Sequence, residues 1–405
     1  MIGYLPTVPP ARPKVFFGLI GAYVTTLLVT WLLLPACATT VAAAGFVVTV
    51  VAELVVEWQA TTPRALLERA RSKLYAVAGG SYDSDNVRLA RLTTEQRIAY
   101  FRSLEFRDWV ASEKAAGHEV FWLRDVDKTQ AAGDIFTFFY QWRCDHNRFT
   151  PEGLQAVQAF LARHGGTAAA RPLTARHPQE AVDLWLSGDS DGPGIGLLDF
   201  WSGVYWPSQM GLTREEKLRQ VMEFAPLYAE RIYPGVPEEN QALEEAGVHV
   251  VIVSNGDQEL AIAVAPLLGI KPGNVVGSNL VYGEDGKAVG VNHSYELFDE
   301  DWVSRPQPGK PLSFHYWVHT NRGRWGWDHI DDQRIVIAGR DGDSASADGG
   351  MMILMAPAAL GNFMVDTPGE PERLQKFYSV AAKYGWTRGQ FFTLVPSPSK
   401  LGARP

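Results

Sequence analysis

Cysteine is nearly missing from this chain: Cys37 and Cys144 are the two among 405 residues. A disulfide scaffold is excluded, and two thiols cannot build a zinc site. Cys37 lies inside an apolar tract, which argues against a bridge to Cys144. There is no basic stripe and no Arg-rich run, and the formal net charge is -8. Nucleic acid is therefore excluded as the main partner, because backbone phosphates need clustered Lys and Arg. No internal repeat or low-complexity segment occurs before a Pro/Ser/Gly-rich tail that begins after Val395.

The other absence is local. No charged residue occurs between Val15 and Ala52, a stretch rich in Val, Leu, Ala and Thr. A membrane span needs about 20 apolar residues, so the tract accommodates one span with excess or two in a tight hairpin turning at Pro35 and residues 36–40. Arg12 and Lys14 precede it, and Arg64, Arg69, Arg71 and Lys73 follow. Basic flanks on both sides favour a hairpin with both ends in the cytoplasm. A competing reading is a secretory signal cleaved after the Ala36-Cys37-Ala38 pattern, but the apolar stretch is longer than a usual signal core. The expectation is membrane anchoring through residues 1–56, in the inner membrane were the chain bacterial. The side faced by the rest of the chain is left open.

Further along, residues 57–118 read as a helical stalk or packing layer. Within it, Ile98, Phe101, Leu104, Phe106, Trp109 and Val110 suggest an amphipathic helix starting near a cap at Thr94-Glu95-Gln96. Three apolar strands stand out: Val120–Arg124, His249–Ser254 and Arg334–Ala338. Helical stretches run over residues 150–164, 213–233, 238–246 and 258–268. Strands alternating with helices predict an α/β fold around a doubly wound parallel sheet.

Polar groups gather where the strands end. Asp125, Asp127 and Thr129 follow the first strand, and alternation along an extended segment would place all three on one side. Ser254 ends the second strand, with Asn255-Gly256 opening the next helix, so a hydroxyl and backbone N–H groups can face one anion. Lys310 contributes a positive charge from Pro308-Gly-Lys-Pro311. Asp343 and Asp348 follow the third strand in Gly342-Asp-Ser-Ala-Ser-Ala-Asp348. Carboxylates from separate segments repel one another unless a hard cation neutralises them. A hydroxyl, a lysine and a helix amino terminus suit a phosphoryl group. Together these residues predict a Mg²⁺-dependent phosphoryl-transfer site.

The set and its order resemble the haloacid dehalogenase-like hydrolase superfamily, with its pattern DxDx(T/V), a strand-end Ser/Thr, Lys and GDxxxD. The match covers residues 120–368, and the last motif carries one extra residue between its aspartates. The resemblance implies that Asp125 is a nucleophile forming an aspartyl-phosphate. Asp127 is implied as general acid and base, lending its backbone carbonyl to Mg²⁺. Thr129, Ser254, Asn255 and Lys310 are implied to bind substrate, and Asp343 and Asp348 to join Asp125 and Asp127 around the metal. It further implies a catalytic core over residues 119–135 and 235–395, a mostly helical C1-type cap over 136–234 and a tail over 396–405. Cap placement and the last motif resemble the phosphoserine phosphatase and phosphorylcholine phosphatase branch. Arg124, where an apolar residue is usual, and the additional Asp341 depart from the pattern. Reading Asp127-Lys-Thr129 as a cation-pump motif fails, because Gln130-Ala131 follows it.

The expected function is a phosphatase acting on a small phosphorylated metabolite, phosphorylcholine or a related amino-alcohol phosphate first among candidates. The alternatives are transfer to an acceptor other than water, or a non-catalytic scaffold. Trp201, Tyr205 and Trp206 either box a quaternary ammonium or pack as aromatic core, the second being the simpler reading. Gly188-Asp-Ser-Asp-Gly192 imitates the last motif but lacks a preceding strand and reads as a cap loop. His315 and His319 share a helical face without a third ligand, and read as surface histidines.

Overall fold

The chain divides into two units, Met1–Leu66 and Leu67–Pro405. The computed structural model describes residues 89, 92–164, 177–187, 200–292, 309–343, 348–353, 355, 358–365 and 391–394, all in the second unit. The expected membrane anchor, the first part of the stalk, the Gly188–Gly192 loop and the tail lie outside the described residues. Among the described residues, no helix is long and apolar enough to cross a membrane.

Two helices open the described region. Helix α1 (Thr94–Phe101) starts at a capping box in which the Thr93 side chain and Gln96 satisfy each other's backbone N–H groups. Helix α2 (Leu104–Ala115) has its own cap, the Ser103 hydroxyl accepting from the Phe106 N–H. The single amphipathic helix expected here is thus two, because Ser103 restarts the chain. Their aromatic faces pack on the sheet: Phe101 lies edge-on to Trp122 at 5.3 Å. The segment is a packing layer of the core.

Strand β1 (Glu119–Arg124) is followed by helices α3 (Ile135–Asp145), α4 (Pro151–His164) and α5 (His177–Ser187), a π-helical turn at Trp201–Tyr205 and helix α6 (Arg214–Tyr228). The described elements from Ile135 to Tyr228 are helical. Helix α7 (Val236–Glu245) returns the chain to strand β2 (His249–Asp257), helix α8 (Gln258–Val264) and the hairpin β3 (Val275–Tyr282) and β4 (Ala288–Asn292). Then come helix α9 (Gly309–Asn321), strand β5 (Ile335–Gly342), the short α10 (Gly349–Ile353), β6 (Gly361–Val365) and β7 (Phe391–Leu394).

The seven strands lie in the order β4-β3-β2-β1-β5-β6-β7, all neighbours parallel except β3 and β4. The α/β parallel sheet read from the alternation of strands and helices is present. Successive side chains of β1 enter opposite faces, as period-two alternation requires. Val120 and Trp122 join Val250, Ile252 and Phe363 in one core. Phe121 and Leu123 join Val251, Val253, Phe314 and Trp317 in the other. Gly339 is needed for β5 to lie beside β1: a Cβ there would come within 2.6 Å of the Trp122 ring.

Candidate active site

β1 ends at Arg124, and the chain turns over residues 128–130. The Val126 carbonyl accepts from the N–H groups of Thr129, Gln130 and Ala131 at 3.3, 2.9 and 3.3 Å. Lys128 takes a positive φ of 56°. This turn, with its left-handed Lys128, carries the chain from Asp127 past Thr129. It brings the Thr129 hydroxyl to Asp125 Oδ2 at 3.4 Å. The Asp125 backbone is held on both sides: its N–H donates to the Asp341 carbonyl at 3.1 Å, and its carbonyl accepts from Gln130 Nε2 at 2.8 Å. Gln130 is itself fixed by Asn240, whose Nδ2 donates to Gln130 Oε1 at 2.8 Å and to the Leu268 carbonyl at 2.7 Å. The motif reading gave no role to Gln130 or Asn240; only the return of α7 to the sheet brings Asn240 there.

The carboxylates of Asp125, Asp343 and Asp348 converge, with ligand atoms within 4.8 Å of one another and all three residues buried. Lys310 Nζ donates to Asp125 Oδ1 at 2.6 Å and to Asp348 Oδ1 at 2.5 Å. The lysine lies in the first turn of α9, not in a loop. Asp348 also accepts the Asp343 N–H at 2.9 Å. Its carboxyl occupies the space over Gly342, where a Cβ would lie 2.5 Å from Asp348 Cγ. The extra residue in the last motif therefore leaves Asp348 in the cluster. Burial pushes Asp125 up to about 6, against the opposing pull of Lys310. Burial also works against the charge on Lys310, but Asp125 and Asp348 hold its pKa above the ordinary lysine value.

Asp127 stands apart from the three-carboxylate group. Its Oδ1 accepts the Ile135 N–H at 2.7 Å, so it faces the amino terminus of α3. Burial, then Asp134 and Asp125, hold its pKa well above the usual carboxylate range. A protonated carboxyl is the state a general acid needs. The carboxylates that converge as a candidate metal set are those of Asp125, Asp343 and Asp348, while the Asp127 carboxyl accepts from the first N–H of α3.

Ser254 is buried, but the helix does not open at Asn255-Gly256. β2 continues to Asp257, whose side chain caps α8 by accepting from the Leu260 N–H at 3.2 Å. The Ser254 hydroxyl accepts the Gly256 N–H at 2.8 Å, and the pairing of β2 with β3 shifts register between Val253 and Asp257. Asn255 Oδ1 is buried without a hydrogen-bond partner among the described residues.

Trp201 and Tyr205 stack at 5.1 Å with an interplanar angle of 2°, and Trp206 meets both edge-on. They are buried core, as the simpler reading had it. Tyr205 Oη donates to Asp257 Oδ2 at 2.8 Å, and buried Lys217 joins the same oxygen. This ion pair ties α6 to the end of β2. His315 pairs with Asp332 at 2.9 Å and His319 lies against Arg322, so neither adds to a metal site.

The donor set is all oxygen, buried and short of positive charge, which fits Mg²⁺. Sheet, helical insertion and motif positions agree with the haloacid dehalogenase-like hydrolase fold implied by the motif order. No protein-family model matches the chain, and no curated protein matches it. Among solved structures, a protein of unknown function from Anaerococcus prevotii is similar at 14% identity and a TM-score of 0.43, over 71% of this chain and 90% of that one. One from Bordetella pertussis is similar at 16% identity and 0.41, over 68% and 99%. A phosphoserine phosphohydrolase-like protein from Francisella tularensis is similar at 15% identity and 0.34, over 63% and 91%.

Proposed function

We propose that the chain is a phosphatase that hydrolyses a small phosphomonoester through an aspartyl-phosphate on Asp125. The observation that carries this is the convergence of Asp125, Asp343 and Asp348 on one point, with Lys310 bonded to two of them. In the first step an Asp125 oxygen attacks phosphorus, a P–O bond to Asp125 forms, and the ester P–O bond breaks. Asp127 passes its proton to the departing alcohol. In the second step Asp127 takes a proton from the attacking water, and the acyl phosphate splits to free Asp125 and phosphate. Lys310 and the Ser254 hydroxyl face the charge of the transferred group. Mg²⁺ held by Asp125, Asp343 and Asp348 would offset negative charge on the phosphoryl oxygens.

Amino-alcohol phosphates, phosphorylcholine among them, head the substrate class on the motif resemblance. The mutual packing of Trp201, Tyr205 and Trp206 gives this choice no separate support. The apolar tract of residues 15–52 is proposed to hold the protein at a membrane, which fractionation of cells expressing the full chain would test. The activity is tested by phosphate release from p-nitrophenyl phosphate and a phosphomonoester panel, with and without Mg²⁺. Turnover that requires the metal and disappears in Asp125→Asn is the expected result. Release only when an acceptor alcohol is added would identify a transferase, and no turnover by folded, Mg²⁺-loaded protein would leave a scaffold.

A further inference from the structure

Tyr228 is the last residue of α6, almost fully buried, and its hydroxyl has no hydrogen-bond partner among the described residues. A buried phenol O–H without a partner is destabilising, and such orphans in native folds point to an atom still to arrive. Its surroundings define the direction of approach. The ring packs against Phe138 at 6.3 Å and Phe224 at 6.2 Å. Phe138 lies in the first turns of α3, the helix whose amino terminus binds Asp127, and covers Gly133 so closely that a Cβ there would come within 2.6 Å of the ring.

The chain just past Tyr228 is stitched to the turn that carries the first motif. Ala132 N–H donates to the Arg231 carbonyl at 2.8 Å, Tyr233 N–H to the Gln130 carbonyl at 3.0 Å, and Ala131 bridges to Ile232. The end of α6 is therefore tied to the first-motif turn, and Asp127 and Asp134 are the carboxylates that act most on the Tyr228 phenol. The Tyr228 hydroxyl makes no hydrogen bond to the Asp127 carboxyl, whose Oδ1 accepts the Ile135 N–H.

We infer that Tyr228 is a substrate contact on the leaving-group side, its hydroxyl donating a hydrogen bond to the ester oxygen as that oxygen departs from phosphorus. The inference rests on the phosphatase reading above and adds to it a donor supplied by the cap. Tyr228 keeps its own proton throughout: the P–O bond breaks, and the proton that the alcohol gains comes from Asp127. Burial, then Asp127 and Asp134, hold the phenol well above its ordinary pKa, so it remains a donor at working pH. A neutral donor beside a developing alkoxide stabilises most where negative charge on the leaving oxygen is greatest.

The test compares the full-chain wild type with Tyr228→Phe in Mg²⁺ on p-nitrophenyl phosphate and on phenyl phosphate, whose phenol is the poorer leaving group. Phenyl phosphate turnover should fall on the order of 10- to 100-fold, and p-nitrophenyl phosphate turnover by no more than about threefold. Inhibition by inorganic phosphate should not change, because phosphate carries no leaving group. Removing an orphan hydroxyl leaves the ring packing in place, so the thermal midpoint should not drop. Equal losses on the two esters, weakened phosphate inhibition, or a shifted pH profile indicating action through Asp127 would each overturn the inference. A wild type inactive on both esters would instead overturn the phosphatase reading, and this one with it.

Discussion

Arg124 and Asp341 stand opposite each other at the ends of adjacent parallel strands, with Arg124 Nε and Asp341 Oδ2 at 3.1 Å. Both depart from the motif pattern, and each accounts for the other. The pair extends to Glu239 on α7, which Arg124 Nη2 meets at 2.5 Å, and through Glu239 to Arg97 on α1 at 2.8 Å. Trp122 Nε1 donates to Asp341 Oδ2 at 3.1 Å from the same face. The network lies immediately behind Asp125, whose N–H is bonded to the Asp341 carbonyl. It joins two helices to the two strands that carry the acidic cluster.

Arg124→Met should be strongly destabilising, by about 3–5 kcal/mol, because it leaves Glu239 and Asp341 buried and short of a partner. Urea unfolding measures this. The same substitution made in an Asp341→Asn background should cost clearly less, since contacting charges are coupled.

Glu239 gives the network a pH signature. Burial works to raise its pKa, but Arg124 and Arg97 together hold it below the ordinary 4.5. A depressed carboxyl contributes stability that is complete above the unfolded value and is lost as pH falls through the folded one. Glu239→Gln should therefore melt well below wild type at neutral pH. The two should converge as the pH is lowered past 4.5. A constant gap at every pH would remove the ion pair as the cause.

Cation binding should also depend on pH. Burial raises Asp125 to about 6, and a proton there competes with Mg²⁺. Calorimetric titration of the full chain should show affinity weakening as pH drops through that range, with proton release on binding. Asp125→Asn should abolish most of this dependence, and Asp343→Asn should weaken binding at every pH.

Asn240 reaches Asp125 only through Gln130. Asn240→Ala should lower kcat on p-nitrophenyl phosphate on the order of 10- to 100-fold with KM nearly unchanged, as expected when a nucleophile is slightly misplaced. Removal of the direct donor in Gln130→Ala should do at least as much.

Trp201 is stacked on Tyr205 and edge-on to Phe136 at 4.6 Å. Trp201→Ala should reduce stability by about 3–5 kcal/mol as a cavity substitution. The ranking of phosphorylcholine against neutral phosphomonoesters should not change; a selective loss on phosphorylcholine would restore the ammonium-box reading.

Residues 120–124, 249–254 and 334–338 announce a parallel sheet by apolar runs alone, because strands covered on both faces need no polar alternation. The carboxylates at their ends were equally legible, since strand ends are where such sheets present chemistry. The contacts that organise those residues were not. The turn at residues 126–131 depends on one carbonyl receiving three N–H groups, and local spacing alone suggested an extended segment. Asn240 carries no motif, and it meets Gln130 only because α7 returns to the sheet. What the sequence determined was the three apolar strands and the chemical identity of the acidic cluster, because strand propensity and charge are properties of neighbouring residues. What the tertiary structure decided was which departures cancel, as Arg124 and Asp341 do, and which side chain fixes Gln130 behind Asp125. Those depend on distances between segments more than a hundred residues apart, which no local pattern encodes.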